Sequence, residues 1–179
     1  MKNKKINKNF YTKPVLWMAK NLLGKYIVRR FGKKIFSGKI IETELYAGPK
    51  DKASHAYKGK ITARNKIEYG PGGFIYIYMV YGMYWQLNIV AGKKESPECV
   101  LIRALDSGKE ASGPGKLCNY LKLDKSFYGE NLFKSKRIWL EDRGEKINSS
   151  QISATARIGI DYAGPYWSRR KWRFVLKKD

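Results

Sequence analysis

The stretch from Phe74 to Ala91 constrains the fold more than any other part of the chain. Phe74 to Tyr81 is dense in aromatic and β-branched residues, Tyr84 to Ala91 is a second such run, and Gly82-Met83 lies between them. Two β-type runs around a glycine-containing turn spell a β-hairpin. Side chains alternate along a strand, so Phe74, Tyr76 and Tyr78 share one face, and Ile75, Ile77, Met79 and Tyr81 the other. A tyrosine is costly to bury unless its hydroxyl finds a partner, so a hairpin this rich in tyrosine is a candidate for stacking as well as for packing. Phe74 and Tyr76 read as core, and Tyr81, beside the turn, as the least core-like. The apolar run Phe74–Trp85 is shorter than the ~20 residues of a membrane-spanning helix.

Around this hairpin the remaining signals are those of one α+β domain. Pro14 to Leu23 reads as a short helix with Pro14 near its first turn and Gly24 as its stop, its apolar face supplied by Leu16, Met18, Ala19, Leu22 and Leu23. Lys25–Arg30 and Ile35–Tyr46 read as strands joined by a turn, Cys99–Leu105 as a buried strand, Leu117–Leu123 as a short helix, and Ile138–Leu140 and Trp172–Leu176 as two further strands. Ala47–Gly73 is a long polar loop, a length that within a domain points to function or to short helical turns. The class expected is a single domain with a mostly antiparallel sheet and short helices over residues 14–179, preceded by a flexible basic arm over residues 1–13. That arm lacks the apolar segment of a secretory signal.

Charge narrows the partner. Thirty-seven Lys and Arg face 15 Asp and Glu, a net +22 over 179 residues. Such an excess argues for a polyanion, and the interleaving of Arg169, Arg170, Lys171 and Arg173 with Tyr166, Trp167 and Trp172 reads as phosphate-contacting surface. Cys99 and Cys118 form no CxxC pair, and with His55 the single histidine there is no zinc set; two buried thiols are the expectation.

With so few acids, their placement is informative. Glu42, Glu44 and Tyr46 alternate onto one face at the end of a strand, with Ile41, Thr43 and Leu45 on the other. Taken alone, that face reads more simply as a solvated one. His55 lies in the polar loop and is the side chain that titrates nearest neutrality when unperturbed.

These residues together resemble a known family. Glu42-Thr-Glu-Leu-Tyr-Ala-Gly-Pro49, Ala53-Ser-His55, Thr62-Ala-Arg-Asn65, Tyr76-Ile-Tyr-Met-Val-Tyr-Gly-Met-Tyr84 with Asn88, Val100-Leu-Ile-Arg-Ala-Leu105, Gly113-Pro-Gly-Lys-Leu-Cys118 and Arg157-Ile-Gly-Ile160 look like the alkyladenine (3-methyladenine) DNA glycosylases of mammalian type. The resemblance implies an α/β fold of α+β type with a curved antiparallel sheet and a protruding hairpin that enters DNA. It implies a monofunctional hydrolase of base excision repair that flips alkylated or deaminated purines out of double-stranded DNA. Its range would include 3-methyladenine, 7-methylguanine, hypoxanthine and ethenoadenine, with no cofactor, metal or lyase step.

By motif position, Glu44 would activate the attacking water and Arg103 would hold that water and the carboxylate. Tyr46, His55 and Tyr78 would line the base pocket, Asn88 would oppose the amino group of normal guanine, and Tyr81 would be the wedge in the duplex. Glu42, although on the same face as Glu44, is expected to be dispensable. A monomer acting in the cytoplasm on nucleoid DNA is the corresponding expectation. Two other classes fit the composition: a basic RNA-binding or ribosome-associated protein, and a metal nuclease using Glu42, Glu44 and Asp51.

Overall fold

The strand signals assemble into one curled antiparallel sheet in the computed structural model, which describes residues 4–107 and 111–177. Its strands are β1 (Lys4–Lys5), β2 (Tyr26–Phe31), β3 (Lys34–Tyr46), β4 (Ile75–Val80), β5 (Tyr84–Ala91), β6 (Glu98–Asp106), β7 (Ile138–Asp142), β8 (Ile152–Thr155) and β9 (Arg173–Leu176). They run in the order β1-β7-β2-β3-β6-β5-β4, with β8 attached through β9. The long β3 makes this possible. One of its edges pairs with β6, while the other pairs first with β2 (Lys34–Lys39) and then with β9 (Glu42–Glu44). Among the described residues, four helices, α1 (Lys8–Tyr11), α2 (Val15–Asn21), α3 (Pro114–Tyr120) and α4 (Pro165–Ser168), and several 3-10 turns complete the fold. No helix among the described residues is long and apolar enough to cross a membrane.

The sheet has one core-facing side, and strand alternation decides what the other side carries. Ile75 and Ile77 of β4, Leu87 and Ile89 of β5, and Val100 and Ile102 of β6 enter the main core with Met18, Leu22, Leu117 and Cys118. Their neighbours Tyr76, Val90 and Cys99 form a separate small cluster against Tyr46, Phe74 and Tyr78. That second side, roofed by the loop 47–73 and the segment 157–163, is where the site lies.

Three sequence expectations change. The apolar face of α2 is Val15, Met18 and Ala19, followed by Leu22 and Leu23, whereas Leu16 is 46% exposed. Because the helix starts at Val15, the i, i+3, i+4 spacing selects 15, 18, 19 and 22 and turns 16 outward. On β3 the register slips between Ile40, Glu42 and Thr43, so Ile41 is the extra residue of a bulge. Ile40, not Ile41, is therefore buried on the core side with Leu45 and above Thr43. Thr43 donates its hydroxyl to the Ala19 carbonyl (2.8 Å), tying α2 to the sheet.

The third change is at the N-terminus, where residues 1–13 were expected as a flexible arm. Lys4 and Lys5 pair with Asp142 and Glu141, and Ile6 and Tyr11 are buried in the main core. Ile6, Phe10 and Tyr11 supply enough apolar surface to hold the segment despite its lysines. Met1–Asn3 lie outside the described residues.

Candidate active site

A cavity of about 330 Å³ opens on the non-core side of β3–β6. Its wall is built by register. Tyr76 and Tyr78 of β4 lie opposite Asn88 and Gln86 of β5, and Asn88 lies opposite Leu101 of β6, so all five side chains face one way. Tyr46, His55, Glu68, Cys99 and Arg103 complete the inner wall; Tyr81, Ile158 and Tyr162, all exposed, stand at its mouth.

The aromatic part is tightly coupled. His55 Nδ1 lies 2.6 Å from the Tyr76 hydroxyl, and its ring meets Tyr78 edge-on with centroids 4.8 Å apart. Tyr76 and Tyr78 are themselves 5.1 Å apart. Burial, with Arg64 and Lys60 nearby, pushes His55 below its ordinary value and keeps the imidazole neutral near pH 7. Burial likewise raises Tyr46, Tyr76 and Tyr78, so the cavity presents uncharged phenol faces suited to a flat, electron-poor guest.

Glu44 is fully buried and sits one layer behind this wall. Three neighbours that do line the cavity hold its carboxylate: the Ile158 amide donates to Oε1 at 2.9 Å, the Tyr46 hydroxyl to Oε2 at 3.0 Å, and Arg103 Nη1 approaches Oε1 at 3.3 Å. Burial raises the Glu44 carboxyl, while Arg103, the Ile158 amide and Tyr46 oppose the shift. The solvated face expected from the pattern alone is therefore a buried, hydrogen-bonded one. Glu42 is not idle either. Its Oε1 accepts from Arg103 Nε (2.8 Å) and Arg173 Nε (2.6 Å), which fixes the guanidinium that reaches Glu44.

The segment carrying Ile158 is held by the neighbouring residue. Arg157 forms a buried two-bond pair with Asp51 (2.5 and 2.9 Å), donates to the Leu45 carbonyl (3.0 Å) and lies between the Tyr46 and Trp172 rings. Asp51 also accepts from the amides of Ala47 and Ala53, closing the start of the long loop. Gly48 makes that turn possible: its φ is +64°, and a side chain there would press on the Pro97 carbonyl. The three carboxylates of the metal-nuclease reading are thus each engaged by a guanidinium, and among the described residues no three His, Cys, Asp or Glu groups converge.

Of the residues expected at the site, Tyr46, His55, Tyr78, Asn88 and Arg103 meet at this cavity and Glu44 touches its wall. Tyr81 joins them against the strand-parity expectation, because β4 ends at Val80 and Tyr81 takes a left-handed conformation (φ +52°) that swings it to the mouth, 89% exposed. Asn88 is buried, its amide donating to the Gln86 carbonyl and its oxygen facing the Cys99 thiol. The sequence reading assigned Tyr76 to core only, whereas it is both packed and part of the wall. Asp51 is the partner of Arg157 and not a metal ligand, and Glu68 is a wall residue that the sequence does not mark. Arg157 and Ile158 lay within a quoted motif without a role. For Glu68 no period marks it, since it sits on an irregular 3-10 turn, Lys66–Tyr69.

Comparison with known proteins shows the family. The family model described as methylpurine-DNA glycosylase matches residues 9–179. A Clostridium novyi protein is 40% identical, covering 97% of this chain and 96% of its own length. One from Clostridioides difficile is also 40% identical, covering 96% and 100%, and one from Methanocella arvoryzae is 40% identical, covering 95% and 91%. All three carry the name "Putative 3-methyladenine DNA glycosylase". With a family match along nearly its whole length and relatives 40% identical across it, this chain belongs to the methylpurine-DNA glycosylase family.

Proposed function

We propose that this protein is a monofunctional 3-methyladenine DNA glycosylase. It binds double-stranded DNA as a monomer, extrudes an alkylated purine such as 3-methyladenine or 7-methylguanine into the aromatic cavity, and hydrolyses the N-glycosidic bond to leave an abasic site. The observation that carries this reading is the juxtaposition of a neutral phenol-lined cavity with a carboxylate clamped by Arg103 and the Ile158 amide, next to an exposed tyrosine at a hairpin tip.

Each part has a chemical task. An N3- or N7-alkylated purine is cationic and leaves readily, and the faces of Tyr46 and Tyr78 attract such a ring by about 0.5–2 kcal/mol per contact. Asn88, at the inner wall, opposes the amino group of normal guanine. Glu44 takes a proton from a water held beside Arg103 and Ile158, and its negative charge favours the positive sugar that develops as the bond breaks. Tyr81 fills the gap left in the duplex, where unstacking costs a few kcal/mol and least at damaged pairs.

The test is release of free 3-methyladenine from methylated duplex DNA in the presence of EDTA. Release with the strand left intact until alkali is added is the expected result. Failure to release the base overturns the assignment; strand scission without alkali overturns its monofunctional character.

A further inference from the structure

Glu68 stands apart from the other acids of the site. Glu42, Glu44 and Asp51 each meet an arginine, whereas no Lys or Arg among the described residues forms an ion pair with Glu68. It is 1% exposed, and unlike Glu44 it lines the cavity directly, beside Asn88 and Cys99 at the inner end. The Cys99 thiol donates to Glu68 Oε1 at 3.2 Å. Glu68 Oε2 is buried without a hydrogen-bond partner. Asn65, one turn back, gives its side-chain amide to the His55 and Lys60 carbonyls (3.1 and 2.9 Å), so its nearness to Glu68 only partly offsets the burial of that carboxyl. An ionised carboxylate only accepts and is heavily penalised in such a place, whereas a neutral carboxylic acid carries a proton on its free oxygen and can donate it.

We propose that Glu68 is a general acid of the base pocket: it delivers a proton to a ring nitrogen of the extruded purine, so that uncharged purine lesions such as hypoxanthine leave as neutral bases. This rests on the glycosylase reading above and assigns a residue of this chain to the uncharged part of the expected substrate range. A cationic alkylpurine needs no such help, because its leaving already neutralises it. For an uncharged base, the Glu68 proton passes to the ring, the C1′–N bond breaks with its electron pair going to the base, water adds to C1′, and Glu44 accepts the proton that water loses. One carboxyl thereby ends ionised and the other protonated, and proton exchange with solvent restores both. Two carboxyls whose surroundings separate their tasks in this way are the recurring signature of an acid–base pair.

Burial, opposed in part by the Cys99 thiol and the Asn65 amide, pushes Glu68 up to about 7, so its acid form is populated near neutrality. The groups packed around it do not titrate there: the Cys99 thiol on β6, Tyr76 and Tyr78 on β4, Tyr69 on its own turn and Tyr128 after the 3-10 turn Lys125–Phe127 are all pushed up by burial, and His55 is pushed down.

The experiment is single-turnover excision of hypoxanthine and of 7-methylguanine from matched duplexes, across pH, by the wild-type protein and by Glu68→Gln. Because the acid form is the active one, wild-type hypoxanthine excision should fall as pH rises through about 7, and 7-methylguanine excision should not share that fall. Glu68→Gln, which keeps the shape but has no transferable proton, should lower the hypoxanthine rate relative to the 7-methylguanine rate by ~100-fold or more and abolish the fall. An unchanged ratio, or a fall common to both bases in the wild type, overturns the proposal. Should the variant fail to fold, the wild-type profiles decide alone. Release of 7-methylguanine without any of hypoxanthine refutes the role of Glu68 only, whereas release of neither refutes the glycosylase reading beneath it.

Discussion

Glu44 has no solvent contact, yet its two oxygens are reached by three donors that themselves form the cavity wall. In the proposed mechanism Glu44 is the general base, a role that contributes orders of magnitude to rate and little to affinity. Glu44→Gln should therefore bind lesion-containing duplex as tightly as wild type while excising 10²–10⁴-fold more slowly, a span of roughly the usual general-base contribution. Single-turnover rates beside a filter-binding or anisotropy titration separate the two, and near wild-type excision would remove Glu44 from the mechanism. Legibility at this scale was uneven. Glu44 and Tyr46 are legible through the motif, whereas strand parity alone reads their face as solvated, and the engagement of Glu44 by Ile158, 114 positions away, is not legible at all. Glu42 shows the same limit. On sequence it is a spare acid; in the fold it grips both Arg103 and Arg173.

At the scale of elements, the hairpin β4–β5 is the part that period-two reading captured best. Both strands, their pairing and the turn at Tyr81–Met83 follow from side-chain alternation and one glycine. The position of Tyr81 does not, because a left-handed residue at a strand end breaks the parity that the argument relies on. Tyr81→Ser should weaken extrusion and leave the cavity built by Tyr46, His55 and Tyr78 intact. A duplex carrying a fluorescent etheno-base reports this through the emission change as the base leaves the stack. If the variant holds that base out as stably as wild type, Tyr81 is not the wedge, and Met83, also exposed at the tip, takes its place.

The N-terminal segment is the element that composition hid most completely. Tyr11 is fully buried among Phe10 and Phe133, and its carbonyl accepts from the Gly92 amide (2.9 Å). Tyr11→Ala should cost about 3–5 kcal/mol, as the loss of a large buried ring does. Tyr11→Phe should be neutral or stabilising, since the hydroxyl it removes has no partner. Denaturant midpoints of the two variants test the packing, and an unaffected Tyr11→Ala would mean that the segment is not part of the folded core.

For the whole molecule, a net charge of +22 makes electrostatics the main source of non-specific affinity for a polyanion. Binding to undamaged duplex should weaken steeply with salt, the slope of log K against log salt being about 0.9 per phosphate neutralised. A titration insensitive to salt between low and physiological concentration would contradict a DNA-scanning role for this surface.

What the sequence by itself determined is what depends on near neighbours: helix limits set by Pro14 and Gly24, strands set by alternation, the hairpin, the sign of the charge, and through ordered motifs the family. What only the tertiary structure decided is what depends on residues far apart in the chain. The bulge at Ile41 puts Ile40 rather than Ile41 on the core side of β3, the Arg157–Asp51 pair sets the Ile158 amide against Glu44, and the turn Lys66–Tyr69 buries a lone acid in the pocket wall. The reason is physical. Local propensity is a property of a few consecutive side chains, whereas the burial, hydrogen bonding and proton affinity of a carboxyl are set by every group the fold brings around it.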